Sequence, residues 1–228
     1  MPHQHTPLPR TRRNSLALAC ARSLTESEYM QHVHGMCNMY MYMHMRMTAL
    51  ASPRSLTESE YTLAMWPYNF DAKYKVTLTE GALATEFTVT NTGDVPFDFT
   101  AALHSYWSVT GIGNIKISSP AFKGATFLDK MQSPPADVTS TSDSFAITAE
   151  TDSVYQGVSG DISLADSGRK KPLTISNKLG WSDTVIWNPY GDEGMGFDQF
   201  VCVESAQASS SVVLQPMEYW TGAMDVVP

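Results

Sequence analysis

Arginine is nearly missing from most of this chain: beyond Arg54, Arg169 stands alone. A surface so poor in guanidinium groups is unsuited to nucleic acid, and a formal net charge of −8 over 228 residues argues equally against an anionic membrane surface. The imbalance is regional. Six basic and three acidic residues precede position 60, whereas nine basic and twenty acidic residues follow. Cysteine is scarce as well. Cys20, Cys37 and Cys202 make no even framework and no CxxC pair, so a disulfide scaffold is excluded. Cys202 lies in an apolar run, which fits a reduced intracellular thiol. No apolar stretch approaches the length of a membrane span. The chain also lacks GxSxG, GxGxxG, HExxH and a phosphate-cradling GxxxxGKS/T, which removes the common nucleophile, nucleotide and zinc-protease signatures.

Residues 1–59 do not read as a domain. Arg22-Ser23-Leu24-Thr25-Glu26-Ser27-Glu28-Tyr29 recurs letter for letter as Arg54 to Tyr61. One repeated octamer cannot build a solenoid, which needs several units to bury a core. Between the copies, Met39 to Met47 places methionine at every second position, a string that a translated simple nucleotide repeat would give. The expectation is an aberrant, non-globular segment, with residues 30–53 from misjoined or retained non-coding sequence. A competing reading makes His32, His34, His44 and the thioethers a metal-binding tract. The first 25 residues lack acids and carry Arg10, Arg12, Arg13 and Arg22, a transit-like pattern that sets plastid or mitochondrion beside the cytoplasm as destination.

From residue 60 to 228 the pattern is all-β. Lys73–Thr79 and Leu83–Thr90 alternate, with Phe87 and Val89 inward and Glu86, Thr88 and Thr90 outward. Asn91-Thr92-Gly93-Asp94 is turn chemistry. The next run puts Phe97, Phe99, Ala101, Leu103 and Trp107 on one face and Thr100, Ala102, His104 and Tyr106 on the other. Further strands are expected at 114–118, 145–149, 173–176, 184–187, 200–204 and 211–214. No amphipathic helix is legible. Regular spacing broken by Gly, Pro, Asn and Ser predicts a sandwich of antiparallel sheets.

Two ionisable side chains stand out inside these strands. His104 shares a polar strand face with Tyr106, a surface suited to stacking a sugar ring and fixing its hydroxyls. Read alone, it is equally a surface histidine on a solvated sheet. Glu204 follows Phe200 and Cys202 on one face, so its carboxylate would be poorly hydrated and its pKa raised toward that of a useful base. Read alone, it is equally a strand-end acid in water. Asp152 ends a strand candidate, where it either binds a hydroxyl or caps a turn.

Asn91-Thr92-Gly93, Pro96-Phe97, Ala102-Leu103-His104-Ser105-Tyr106, Asp129-Lys130, Glu150-Thr151-Asp152, Asp183 to Pro189 and Phe200 to Glu204 occur in the order found in glucose-6-phosphate 1-epimerases. Over residues 60–228 the chain therefore resembles these hexose-6-phosphate mutarotases of the aldose 1-epimerase superfamily. The resemblance implies a galactose-mutarotase-like β-supersandwich, incomplete at its N-terminal side. It implies interconversion of the α and β anomers of a hexose 6-phosphate, by a monomer, without cofactor or metal. Glu204 would take the proton of the anomeric hydroxyl and His104 would protonate the ring oxygen, while Asp152 and Tyr106 would hold the sugar. The family's His-Gly-Phe-Ala-Arg motif has no counterpart here, so a second histidine and the phosphate-gripping arginines would be missing, impairing activity. Uncovered strands would favour association. The alternatives are a non-catalytic carbohydrate-binding sandwich and an inactive family fragment.

Overall fold

The computed structural model describes residues 50–228. The first octamer copy, the methionine-rich tract, Cys20, Cys37 and the N-terminal arginines lie outside the described residues, as does the bulk of the segment expected to be non-globular. In chain order the strands are β1 (Leu50–Thr57), β2 (Phe70–Leu78), β3 (Leu83–Asn91), β4 (Phe97–Leu103), β5 (Tyr106–Ser108), β6 (Ile115–Ser118), β7 (Thr126–Asp129) and β8 (Ala136–Thr139). There follow β9 (Ser144–Phe145), β10 (Thr151–Tyr155), β11 (Asp161–Asp166), β12 (Leu173–Leu179), β13 (Asp183–Asn188), β14 (Phe200–Leu214) and β15 (Tyr219–Val227). A short helix α1 (Glu60–Met65) is capped by Ser59, whose side chain accepts from the Thr62 amide at 3.2 Å while Thr62 Oγ1 accepts from the Ser59 amide at 2.8 Å. The second octamer copy thus ends β1 and opens α1. No helix among the described residues is long and apolar enough to cross a membrane.

Two antiparallel sheets form, as the alternation requires. One runs β1-β2-β3-β15-β12-β11-β6-β9; the other runs β4-β14-β13-β10-β7-β8, with β5 also on β14. Their facing sides share one core. Phe87, Ile175 and Met224 come from the first sheet, and Phe99, Ile186, Val201 and Val203 from the second. Aromatic rings fill its middle: Trp181 meets Trp220 edge-on at 4.8 Å between centroids, and Phe99 meets Trp220 at 5.7 Å. Gly222 is required there, since a Cβ would fall 2.4 Å from the Trp181 ring.

Several expected boundaries shift. Residues 200–204 and 211–214 belong to one long strand, β14, whose pairing with β4 is interrupted between Gln207 and Val212. The strand expected over 145–149 is only Ser144–Phe145, because the chain leaves β6 after the Phe145–Ile117 pair. Asp152 does not end a strand; it lies inside β10, paired across to Trp187. Regular structure also begins before residue 60, with β1 paired to β2 from Asp71 to Leu78.

Candidate active site

The outer face of the second sheet gathers the predicted residues. The end of β4 and the whole of β5 pair with β14 in one register, Leu103 against Ser205 and Tyr106 against Cys202, so His104 falls level with Glu204. At that point the chain leaves the ladder, the Ser105 amide turning back to Leu103 O at 2.8 Å. The break frees the His104 ring to stand half-exposed over the sheet, with Nδ1 3.4 Å from Glu204 Oε1. The glutamate itself is buried, at 5 % exposure.

One row further along, Tyr106, Cys202, Trp187 and Asp152 stand side by side on four strands, on the same face as Glu204. Tyr106 stacks on His104 with centroids 4.8 Å apart and planes 12° from parallel; Trp187 meets His104 edge-on at 5.6 Å. These rings wall the acid–base pair with apolar surface. Beside Glu204 on the same face, Val154, Val185 and Ala206 make a small buried apolar cluster. Asp152 is ion-paired with Lys130, Nζ to Oδ1 at 3.0 Å.

Electrostatics follow from this placement. Burial pushes the Glu204 carboxyl up to about 8; the Lys130 ammonium pulls against that shift and the Asp152 carboxylate adds to it. Burial also holds His104 below its ordinary value, opposed by its own backbone hydrogen bond and by Asp152, and reinforced by Lys130. At neutral pH the pair therefore carries one proton, resting on the carboxyl rather than on the imidazole. Lys130→Met should move both groups upward and Asp152→Asn both downward. His104 is one of six histidines, so its ring signals, assigned by their loss in His104→Asn, are followed against pH by NMR. A titration unmoved by either variant would show that these charges do not reach the pair.

Asp183, part of the same sequence motif as Trp187, has a structural place instead. It is fully buried, and four hydrogen bonds close on its carboxylate. Arg169 stands apart from the pair, its Nε on Asp166 at 3.2 Å and a terminal nitrogen on Ser108 O at 3.0 Å. Sequence reasoning gave no role to Lys130 or Trp187, although both lie in motifs it singled out. Only the strand register brings them to His104.

Residues 49–226 match the family model described as Aldose 1-epimerase. Over 179 residues the chain is 28% identical to the "Putative glucose-6-phosphate 1-epimerase" of Cenchrus ciliaris, covering 73% of this chain and 53% of that protein. Among solved structures, the "putative mutarotase" YeaD from Salmonella typhimurium superposes with a TM-score of 0.68 at 24% identity, covering 78% of this chain and 60% of that one. Slr1438 from Synechocystis sp. PCC 6803 superposes with a TM-score of 0.66 at 16% identity, covering 80% and 63% respectively. The fold is thus galactose-mutarotase-like, and the chain spans about half the length of the curated relative it matches.

Proposed function

This chain belongs to the aldose 1-epimerase family, and from that premise we propose that it interconverts the α and β anomers of a hexose 6-phosphate by acid–base ring opening and closure. The observation that carries the reading is the His104–Glu204 pair, two titratable groups 3.4 Å apart between aromatic walls. The phosphate is suggested by the name of the Cenchrus ciliaris relative, and Lys130 is the cation whose charge reaches both members of the pair.

The chemistry starts when the shared proton moves from Glu204 to His104, leaving carboxylate and imidazolium. The carboxylate takes the proton of the anomeric hydroxyl, and the imidazolium gives its proton to the ring oxygen as the C1–O5 bond breaks. The pair returns to its neutral form and the sugar is an open aldehyde. Rotation about C1–C2 turns the other carbonyl face toward the ring hydroxyl, and closure reverses both transfers. Asp152 and Tyr106 would hold the hydroxyls and ring face during that rotation. General acid–base help of this kind is worth roughly 10²–10⁴-fold.

Because the reactive form keeps one proton on the pair, kcat/KM should be bell-shaped. Activity falls above about 8, where the proton held by Glu204 is lost. It falls on the acid side where His104 takes a second proton, below the ordinary histidine value. The deciding experiment is polarimetry on freshly dissolved α-glucose 6-phosphate and α-glucose across this range. Faster decay of rotation with the phosphorylated sugar supports the full reading. Equal acceleration of both sugars keeps the mutarotase and removes the phosphate preference. Ligand binding without acceleration would leave a carbohydrate-binding sandwich.

A further inference from the structure

Cys202 is the one chemically distinctive neighbour that the anomer chemistry leaves unused. It lies two residues before Glu204 on the same face of β14, fully buried, directly across from Tyr106 and Trp187. Its Sγ, a ring nitrogen of His104 and a carboxylate oxygen of Glu204 all lie within 4.8 Å of one another. We propose that these three atoms form a binding site for a borderline-soft divalent ion, Zn²⁺ or Co²⁺, which neither the family assignment nor the sugar chemistry calls for.

The donor set argues the class of ion. One thiolate, one imidazole and one carboxylate suit zinc and cobalt, whereas magnesium and calcium demand oxygen alone. Three protein ligands with the fourth position left to water is the usual open arrangement of zinc. The dimensions fit with little movement. Bonds of about 2.0–2.1 Å to nitrogen and about 2.3 Å to sulfur put tetrahedral ligand pairs about 3.3–3.6 Å apart. The His104–Glu204 contact, at 3.4 Å, already has that spacing. The widest separation must close by about 1 Å, against the same tetrahedral bond lengths. His104 can supply that closure: it sits at the break between β4 and β5 with half its side chain exposed, while Cys202 and Glu204 are buried near the start of β14, paired to β13. The same half-exposed ring is the entry path, and Tyr106 and Trp187 limit its swing.

On the functional reading above, an ion here occupies base and acid together, so zinc would inhibit anomer exchange and a chelator would restore it. The binding test stands independently of that reading. The 228-residue chain is titrated with ZnCl₂ by calorimetry and with CoCl₂ by absorption spectroscopy, alongside Cys202→Ser and His104→Asn, each checked for fold by circular dichroism. The expected result is one ion bound with a cobalt–thiolate charge-transfer band. The band should be lost in Cys202→Ser, and affinity should fall at least about tenfold in His104→Asn, the size expected on removing a ligand-shell partner. Because His104 stands half-exposed, its variant keeps the test open even if Cys202→Ser folds poorly. No saturable uptake would overturn the proposal. So would uptake indifferent to both substitutions, which would put the ion on other donors such as Cys20, Cys37 or the N-terminal histidines.

Discussion

Glu204→Gln should make the protein more stable at alkaline pH while removing its chemistry. The sign follows from linkage. A carboxyl whose folded-state pKa is raised to about 8 keeps its proton in the folded protein at pH values where the unfolded chain, at 4.5, has already released it. Stability therefore falls as pH rises from 4.5 to about 8, by about 1.4 kcal/mol per pH unit, and the penalty is constant above that window. Glutamine carries no such penalty, and its neutral amide takes the place of the protonated acid beside His104 Nδ1. Thermal melts of the two proteins should nearly coincide at pH 4.5 and diverge by a few kcal/mol at pH 8.5, the variant being the more stable. Anomer exchange should fall roughly 10²–10⁴-fold in the same variant. Parallel melting curves across that range would mean that Glu204 is ionised and satisfied in the folded protein.

Asp183→Ala should have the largest structural effect of any single change considered. Burial alone would raise this carboxyl, yet its value is lowered, because the amides of Ser209, Gly157 and Ala208 and the Ser209 hydroxyl all donate to it. The distances run from 2.7 to 2.9 Å. The side chain ties the turn after β10 to the interruption in β14 where pairing with β4 shifts. Removing it strands three backbone N–H groups, each costing about 1–3 kcal/mol where water cannot replace the lost acceptor. A loss of more than about 3 kcal/mol takes a large share of the roughly 5–15 kcal/mol that holds a domain folded. Asp183→Asn should fare little better, since one face of the amide turns donors toward donors. The wild-type contribution is present above the ordinary aspartate value and is lost as pH falls through the lower folded-state value. Denaturant unfolding measures it; a change under about 1 kcal/mol would show that the cradle relaxes onto water.

These two carboxylates mark where sequence reading succeeded and where it stopped. The apolar neighbours Phe200 and Cys202 raised a desolvated acid at Glu204 as one of two readings, because strand period alone fixes which residues share a face; the structure buries it. The Phe97–Trp107 row was legible for the same reason. That His104 lies level with Glu204 was not, because register is a property of two strands and is carried by neither alone. Asp183 looked like one more motif residue, since its four donors come from a turn after β10 and from β14, both about 25 residues away in sequence. Strand β15 escaped because Gly222 and Thr221 break its alternation; the glycine answers to the Trp181 ring packed on it. Strand β1 escaped because it is an edge strand, where Pro53 is tolerated and patterning is weak. The resemblance to the glucose-6-phosphate epimerases supplied the fold from short ordered motifs, and the family match from residue 49 to 226 now stands behind it.

The most direct test of the central claim is two-dimensional exchange NMR on the anomeric protons of glucose 6-phosphate at equilibrium. With the wild-type protein, cross-peaks between α and β signals should grow faster than the spontaneous rate, and they should return to that rate with Glu204→Gln and with His104→Asn. Exchange no faster than in buffer, from a sample that melts cooperatively, would mean that the pair on this sheet does not catalyse mutarotation.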